Sequence, residues 1–68
     1  MQNHNEQSPV RRIIRAGEVR AATTLSRSCI DQLEARGDFP RRLQLGPRAA
    51  GWYADEIAAW VESRRTAR

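Results

Sequence analysis

The side chains best equipped for chemistry here are arginines. All twelve basic residues are arginine, there is no lysine, and eight acids leave a formal net charge of +4. A guanidinium is a planar fork whose donors match a phosphate or the edge of a guanine. Arg27, Ser28, Asp31 and Gln32 lie in one short stretch, LSRSCIDQLEARG, which ends at Gly37. Wound into a helix, they share its outward face. Arg27 suits guanine or phosphate, Gln32 suits adenine, and Asp31 can accept from a cytosine amine. Arg36 closes the stretch, Arg41 and Arg42 follow Pro40, Arg48 follows Pro47, and Arg15 ends an arm with Arg11 and Arg12. For each of these the bland alternative is a solvated charge. A basic balance in so short a chain points to nucleic acid before a membrane or an acidic protein.

Other chemistries find little to work with. The single histidine, His4, sits in a polar stretch with no second ligand near it. The single cysteine, Cys29, cannot form an internal disulfide or a four-cysteine metal site. No carboxylate pair marks a pocket and no glycine-rich loop marks a phosphate cradle, so neither an enzyme nor a metal, cofactor or small-molecule site is expected. No apolar run approaches the roughly 18 residues of a membrane span, and the first ten residues lack the apolar centre of a secretory signal. The expected location is cytoplasmic.

The elements that must hold these arginines can be read in outline. Residues 1–9 (MQNHNEQSP) are expected to form a polar, disordered tail, residues 10–65 one domain, and residues 66–68 a fraying end. Val10 to Arg15 suits a short strand with Ile13 or Ile14 inward. Ala16 to Thr24 suits a short helix, with Glu18 near its positive end and Val19 and Ala22 on the face shared with Leu25. Ser26 is a good N-cap for the next helix. Cys29, Ile30 and Leu33 form its inward stripe, and Gly37 suits a left-handed stop. Two helices joined by a tight turn, the second capped and polar on one face, make a helix-turn-helix pattern. Phe39 closes the core beneath. Leu43-Gln44-Leu45 alternates as a strand, Gly46-Pro47-Arg48 turns, and Ala49 to Tyr53 returns, which makes a hairpin wing. Ala54 to Arg65 is the clearest helix, with Asp55 and Glu56 first, Arg64 and Arg65 last, and Ile57, Trp60 and Val61 as its apolar stripe. Trp52 and Trp60 are assigned to the core. A chain of this length buries about 60% of its unfolded surface, so a partner is expected to share in its stability.

These residues, taken in series, resemble a known family. Arg12-Ile13-Ile14-Arg15, Glu18-Val19, Leu25-Ser26-Arg27-Ser28, Gly37-Asp38-Phe39-Pro40, Leu45-Gly46-Pro47-Arg48, Gly51-Trp52, Glu56-Ile57 and Ala59-Trp60 are similar to the AlpA-type phage regulators. Those are small winged-helix proteins related to MerR-like DNA-binding domains and to phage excisionases. The resemblance runs from Arg12 to about Arg65. It implies a mainly α fold with a small β-hairpin, a MerR-like winged helix-turn-helix. It implies helix 26–36 in a major groove of double-stranded DNA and wing 41–52 on the minor groove or backbone. It places Arg27, Ser28, Asp31 and Gln32 on the recognition helix and Arg48 on the wing. The implied roles are transcription regulator and excision factor of a mobile element, with an integrase as possible partner and cooperative self-association along the DNA.

Three positions depart from that pattern. Thr24 stands where glycine is common, Asp31 where an aromatic residue is common, and Gln32 where a basic one is. Arg27, four residues before Asp31, is the expected partner for its charge. Residues 27–36 then carry no net charge, and the basic surplus falls to the arm, wing and tail. An acid on the DNA-facing side also leaves a rival reading open, a protein-interaction adaptor that keeps the fold but has lost DNA binding.

Overall fold

The computed structural model describes residues 11–65; the expectations for the tail, for Val10 and for residues 66–68 lie outside them. The order of elements is β1 (Ile13–Ile14), α1 (Ala16–Thr23), α2 (Arg27–Ala35), β2 (Leu43–Gly46), β3 (Ala49–Tyr53) and α3 (Ala54–Arg65). Helices dominate and the strands form one small antiparallel sheet, so the fold is the expected winged helix-turn-helix.

Local chemistry explains each boundary. Glu18 lies in the first turn of α1, where a negative charge suits the helix dipole. The helix stops at Thr24, a left-handed residue (φ 62°) whose N–H bonds the carbonyl of Arg20. Extended backbone then leads to Ser26, whose hydroxyl accepts from the Cys29 N–H at 3.1 Å and caps α2. At the other end Gly37 takes φ 79°. Its N–H donates to Glu34 O and that of Asp38 to Leu33 O, the paired closure that a left-handed C′ residue makes possible.

The wing is more than a hairpin. The strand order is β1-β3-β2, so the arm forms a third strand against β3. Ile13 pairs with Tyr53 and Ile14 with Trp52. On the other side Leu43 pairs with Gly51 and Gln44 with Ala50, and the register then shifts so that Gly46 meets Ala49. Leu45 is the extra residue of that bulge. The close approach of three strands needs a glycine at position 51. A Cβ there would lie 2.7 Å from Ile13 Cγ2, 3.0 Å from Ile14 O and 3.2 Å from Leu45 Cδ1.

Alternation in β1 and β3 sends Ile14 and Trp52 to the same side, and the core grows from them: Ile14, Val19, Ile30, Phe39, Trp52 and Ile57. Ala16, Leu25, Leu33, Ala54 and Trp60 pack at its margin. Of the two isoleucines of β1, Ile14 takes the inner face as one of the two was expected to, and Ile13 points outward at 41% exposure. Several core expectations need correction. Cys29 is half-buried and not part of the core, because Ile30 and Leu33 fill the inward stripe of α2. Ala22 and Val61 are exposed. Trp60 is half-buried. Its ring meets Phe39 edge-on with centroids 4.8 Å apart, and its indole N–H donates to Asp38 O at 2.7 Å. The second tryptophan thus pins the end of α2 to α3 from the margin of the core.

Candidate nucleic-acid interface

Three turns of chain meet at one concave surface. Arg15 is the N-cap residue of α1, Arg27 opens α2, and Arg48 lies in the tight turn between β2 and β3. All three line a cleft of about 390 Å³ that Gln44, Arg42 and Trp52 also line. The bulge at Leu45 and the turn after it bring Arg48 to this position. Gln44 braces that turn by donating to Gly46 O at 2.6 Å and, at 3.4 Å, to Ala49 O.

The electrostatics of the cleft follow from where the acids are used. Every carboxylate among the described residues sits in an ion pair with an arginine. Arg11 takes Asp55 and Glu56, Arg12 takes Glu18, Arg36 takes Asp38, Arg65 takes Glu62, and Arg42 takes both Asp31 and Glu34. Such exposed pairs add little stability individually. They do decide where positive charge is left over. Among the described residues, Arg15, Arg20, Arg27, Arg41, Arg48 and Arg64 have no carboxylate partner. Half of these stand around the cleft. A concave wall lined by charges of one sign focuses their field, so the cleft suits an anion.

Two of these pairings are strong enough to shift proton equilibria. Hydrogen bonds from Arg11 hold the Asp55 carboxyl below its ordinary value of 3.8. Asp55, and after it Glu56, push the Arg11 guanidinium well above its ordinary range. The Arg11 guanidinium carbon also lies over the Tyr53 ring, 3.6 Å from its centre. Arg42 is likewise raised, first by Glu34 and then by Asp31.

The sequence-derived site residues divide into two groups. Arg27, Ser28 and Gln32 are exposed on α2. Arg15 and Arg48 join Arg27 at the cleft. Arg41 is exposed but lies outside this cleft, next to Arg42 and facing Asp31 and Glu34. By contrast Arg36 turns to Asp38 at 3.5 Å, at the C-terminal end of α2. Asp31 does not pair with Arg27 as expected. Its partner is Arg42 at 2.7 Å, delivered by the chain at the foot of the wing. The i, i+4 spacing makes Arg27 a neighbour of Asp31, but Arg42 meets Glu34 as well and so gains two acids for one guanidinium. Gln44 was missed by sequence reasoning. Strand alternation carries the signal, since Gln44 pairs with Ala50, two residues from Trp52.

The fold and this cleft define a small winged helix-turn-helix domain with an arginine-lined junction between its helices and its wing. Residues 12–65 match the family model described as prophage CP4-57 regulatory protein (AlpA). The chain belongs to that family of prophage regulatory proteins. It is also 38% identical over 53 residues to an uncharacterized protein, ORF88, of Enterobacteria phage P4. That alignment takes in 78% of this chain and 60% of the relative, so the chain spans well under the whole length of the protein it resembles. Among the described residues no helix is long and apolar enough to cross a membrane.

Proposed function

We propose that this chain binds double-stranded DNA of a mobile element and acts there as an excision factor, a transcription regulator, or both. α2 enters the major groove with Arg27, Ser28 and Gln32 toward the bases. Arg48 on the β2–β3 turn grips the minor groove or a phosphate, with Arg15 and Arg41 on the backbone. The carrying observation is the meeting of Arg15, Arg27 and Arg48 around one cleft with no carboxylate to neutralise them. Backbone charge then supplies much of the affinity and α2 the selection.

The adaptor reading takes its support from an acid, Asp31, on the outward face of α2. Its charge is offset by Arg42 at 2.7 Å, which lessens its repulsion of a phosphate and weakens that support. No long coiled coil enforces a two-fold dimer among the described residues, where the longest helix is α3 with 12 residues. This favours monomers that assemble side by side on direct repeats over a dimer on an inverted repeat.

The test is footprinting on attachment-site and promoter DNA, followed by salt titration of the protected duplex. The expected result is protection over adjacent repeats, with log K falling linearly against log salt. No duplex binding at low salt overturns the proposal. Protection at the attachment site with bending supports the excision role, and protection at a promoter alone supports the regulatory one.

A further inference from the structure

Arg42 is drawn into the body of the protein. It stands just before β2. Its backbone N–H donates to Glu34 Oε2 at 2.7 Å, its Nε to Glu34 Oε1 at 2.8 Å, and its Nη2 to Asp31 Oδ1 at 2.7 Å. The guanidinium carbon also lies 5.1 Å from the centre of the Trp52 ring. One side chain thus touches α2 twice and β3 once, from the foot of the wing. The Glu34 side chain is only 14% exposed, which makes this the most sheltered ion pair among the described residues. The densest backbone approaches in this fold join the strands to each other, α1 to α3, and both of those helices to β3; α2 takes part in none of these. Side chains hold the recognition helix: Ile30 and Leu33 in and beside the core, the two acids on Arg42, and, just past its end, the Trp60 indole on Asp38 O.

We infer that Arg42 is a positioning residue that sets the angle between α2 and the wing, and not a DNA contact. Asp31 and Glu34, three residues apart on one helix face, are its receptors. The inference rests on the DNA-binding reading above and reassigns two residues within it. Asp31 does not read cytosine and Arg42 does not grip phosphate. Both serve to aim Arg48 relative to Arg27. The two acids are bridged by a fork with directed donors, a geometry that a lysine ammonium does not reproduce.

The experiment compares Glu34→Gln, Arg42→Lys and Arg48→Ala on a duplex selected by the wild-type chain from a random pool. Glu34→Gln removes a negative charge, so a direct phosphate contact by Arg42 would gain strength and steepen the salt dependence. The positioning role gives the opposite sign: about tenfold weaker binding with the salt slope unchanged. Arg42→Lys keeps the charge and is expected to weaken binding equally; it decides the matter if Glu34→Gln fails to fold. Arg48→Ala is expected to cost less in the Glu34→Gln background than in the wild type, because a loosened wing no longer delivers Arg48. Tighter binding by Glu34→Gln, full binding by Arg42→Lys, or strict additivity with Arg48→Ala overturns the inference. A DNA-free arm separates its failure from that of the DNA-binding reading. ¹⁵N relaxation of the Arg48 and Ala49 amides is expected to show greater mobility in Glu34→Gln, and unchanged order overturns the positioning role whether or not the wild-type chain binds DNA.

Discussion

Arg27 and Arg48 face the same cleft from different elements, and their losses should differ in kind. Arg27 opens the helix proposed to read base edges, so Arg27→Ala should cost about 1–3 kcal/mol on the preferred duplex and much less on others. Arg48→Ala should weaken all duplexes alike and lower the salt slope by about one. Binding isotherms on preferred and scrambled duplexes at several salt concentrations check both. Thr24 offers a test of stability alone. A β-branched residue in the left-handed region is strained, which costs about 1–2 kcal/mol. Glycine removes that strain but loses more freedom on folding. The net expectation for Thr24→Gly is a gain of about 0.5 kcal/mol, or roughly 2–4 °C in a thermal melt. The sequence marks this position, since glycine is the common residue there in the family it resembles. It does not mark Asp31's partner. Spacing rules compare residues on one helix, and Arg42 arrives from beyond the helix stop.

Elements were legible where their ends carry chemistry. Ser26, Gly37, the acids at the start of α3 and the arginines at its end all state a boundary in the residue itself. The third strand was only half legible: two β-branched residues suggest a strand but cannot name the one they pair with. The bulge at Leu45 left no signal, because it follows from the fit of β2 to β3 around Gly51. The link between the arm and α3 was also hidden. Arg11 spans it, with Nε and Nη2 on Asp55 at 3.0 and 2.9 Å, and Nη2 on Glu56 at 3.2 Å. This link has a consequence for pH. Arg11 holds the Asp55 carboxyl below 3.8. A carboxylate that binds protons less readily when folded stabilises the fold above its unfolded pKa, and that contribution fades as pH falls through the folded value. The thermal midpoint should therefore drop as pH falls below 3.8. The difference between wild type and Arg11→Gln should be present near pH 6 and shrink through the same range. A difference that is constant with pH would deny Arg11 this role.

For the whole molecule, the described core holds six buried apolar side chains, and so small a core leaves little stability to spare. A bound duplex should therefore dominate the melting behaviour. Duplex at 100 times its dissociation constant adds about 2.7 kcal/mol, which for a domain of this size raises the midpoint by roughly 10–20 °C. Scanning calorimetry with and without the protected duplex measures it, and an unmoved midpoint would argue against DNA as the stabilising partner. The cleft itself was not legible in the sequence. Its arginines lie at positions 15, 27 and 48, in three separate parts of the chain that only the tertiary fold brings together. The surplus charge was legible, but its placement was not, because that depends on which acids the other arginines take.

The proposed grip is made of guanidinium groups alone, in a chain without lysine. A surface of that kind offers no ε-amine to an acetyl or ubiquitin transferase, so its charge cannot be tuned by the commonest modifications of DNA-bound proteins. The same chemistry bears on detection. Formaldehyde bridging of protein to DNA starts chiefly at primary amines, and the cleft presents none, so capture on DNA should favour photochemical crosslinking, in which the excited bases react without an amine.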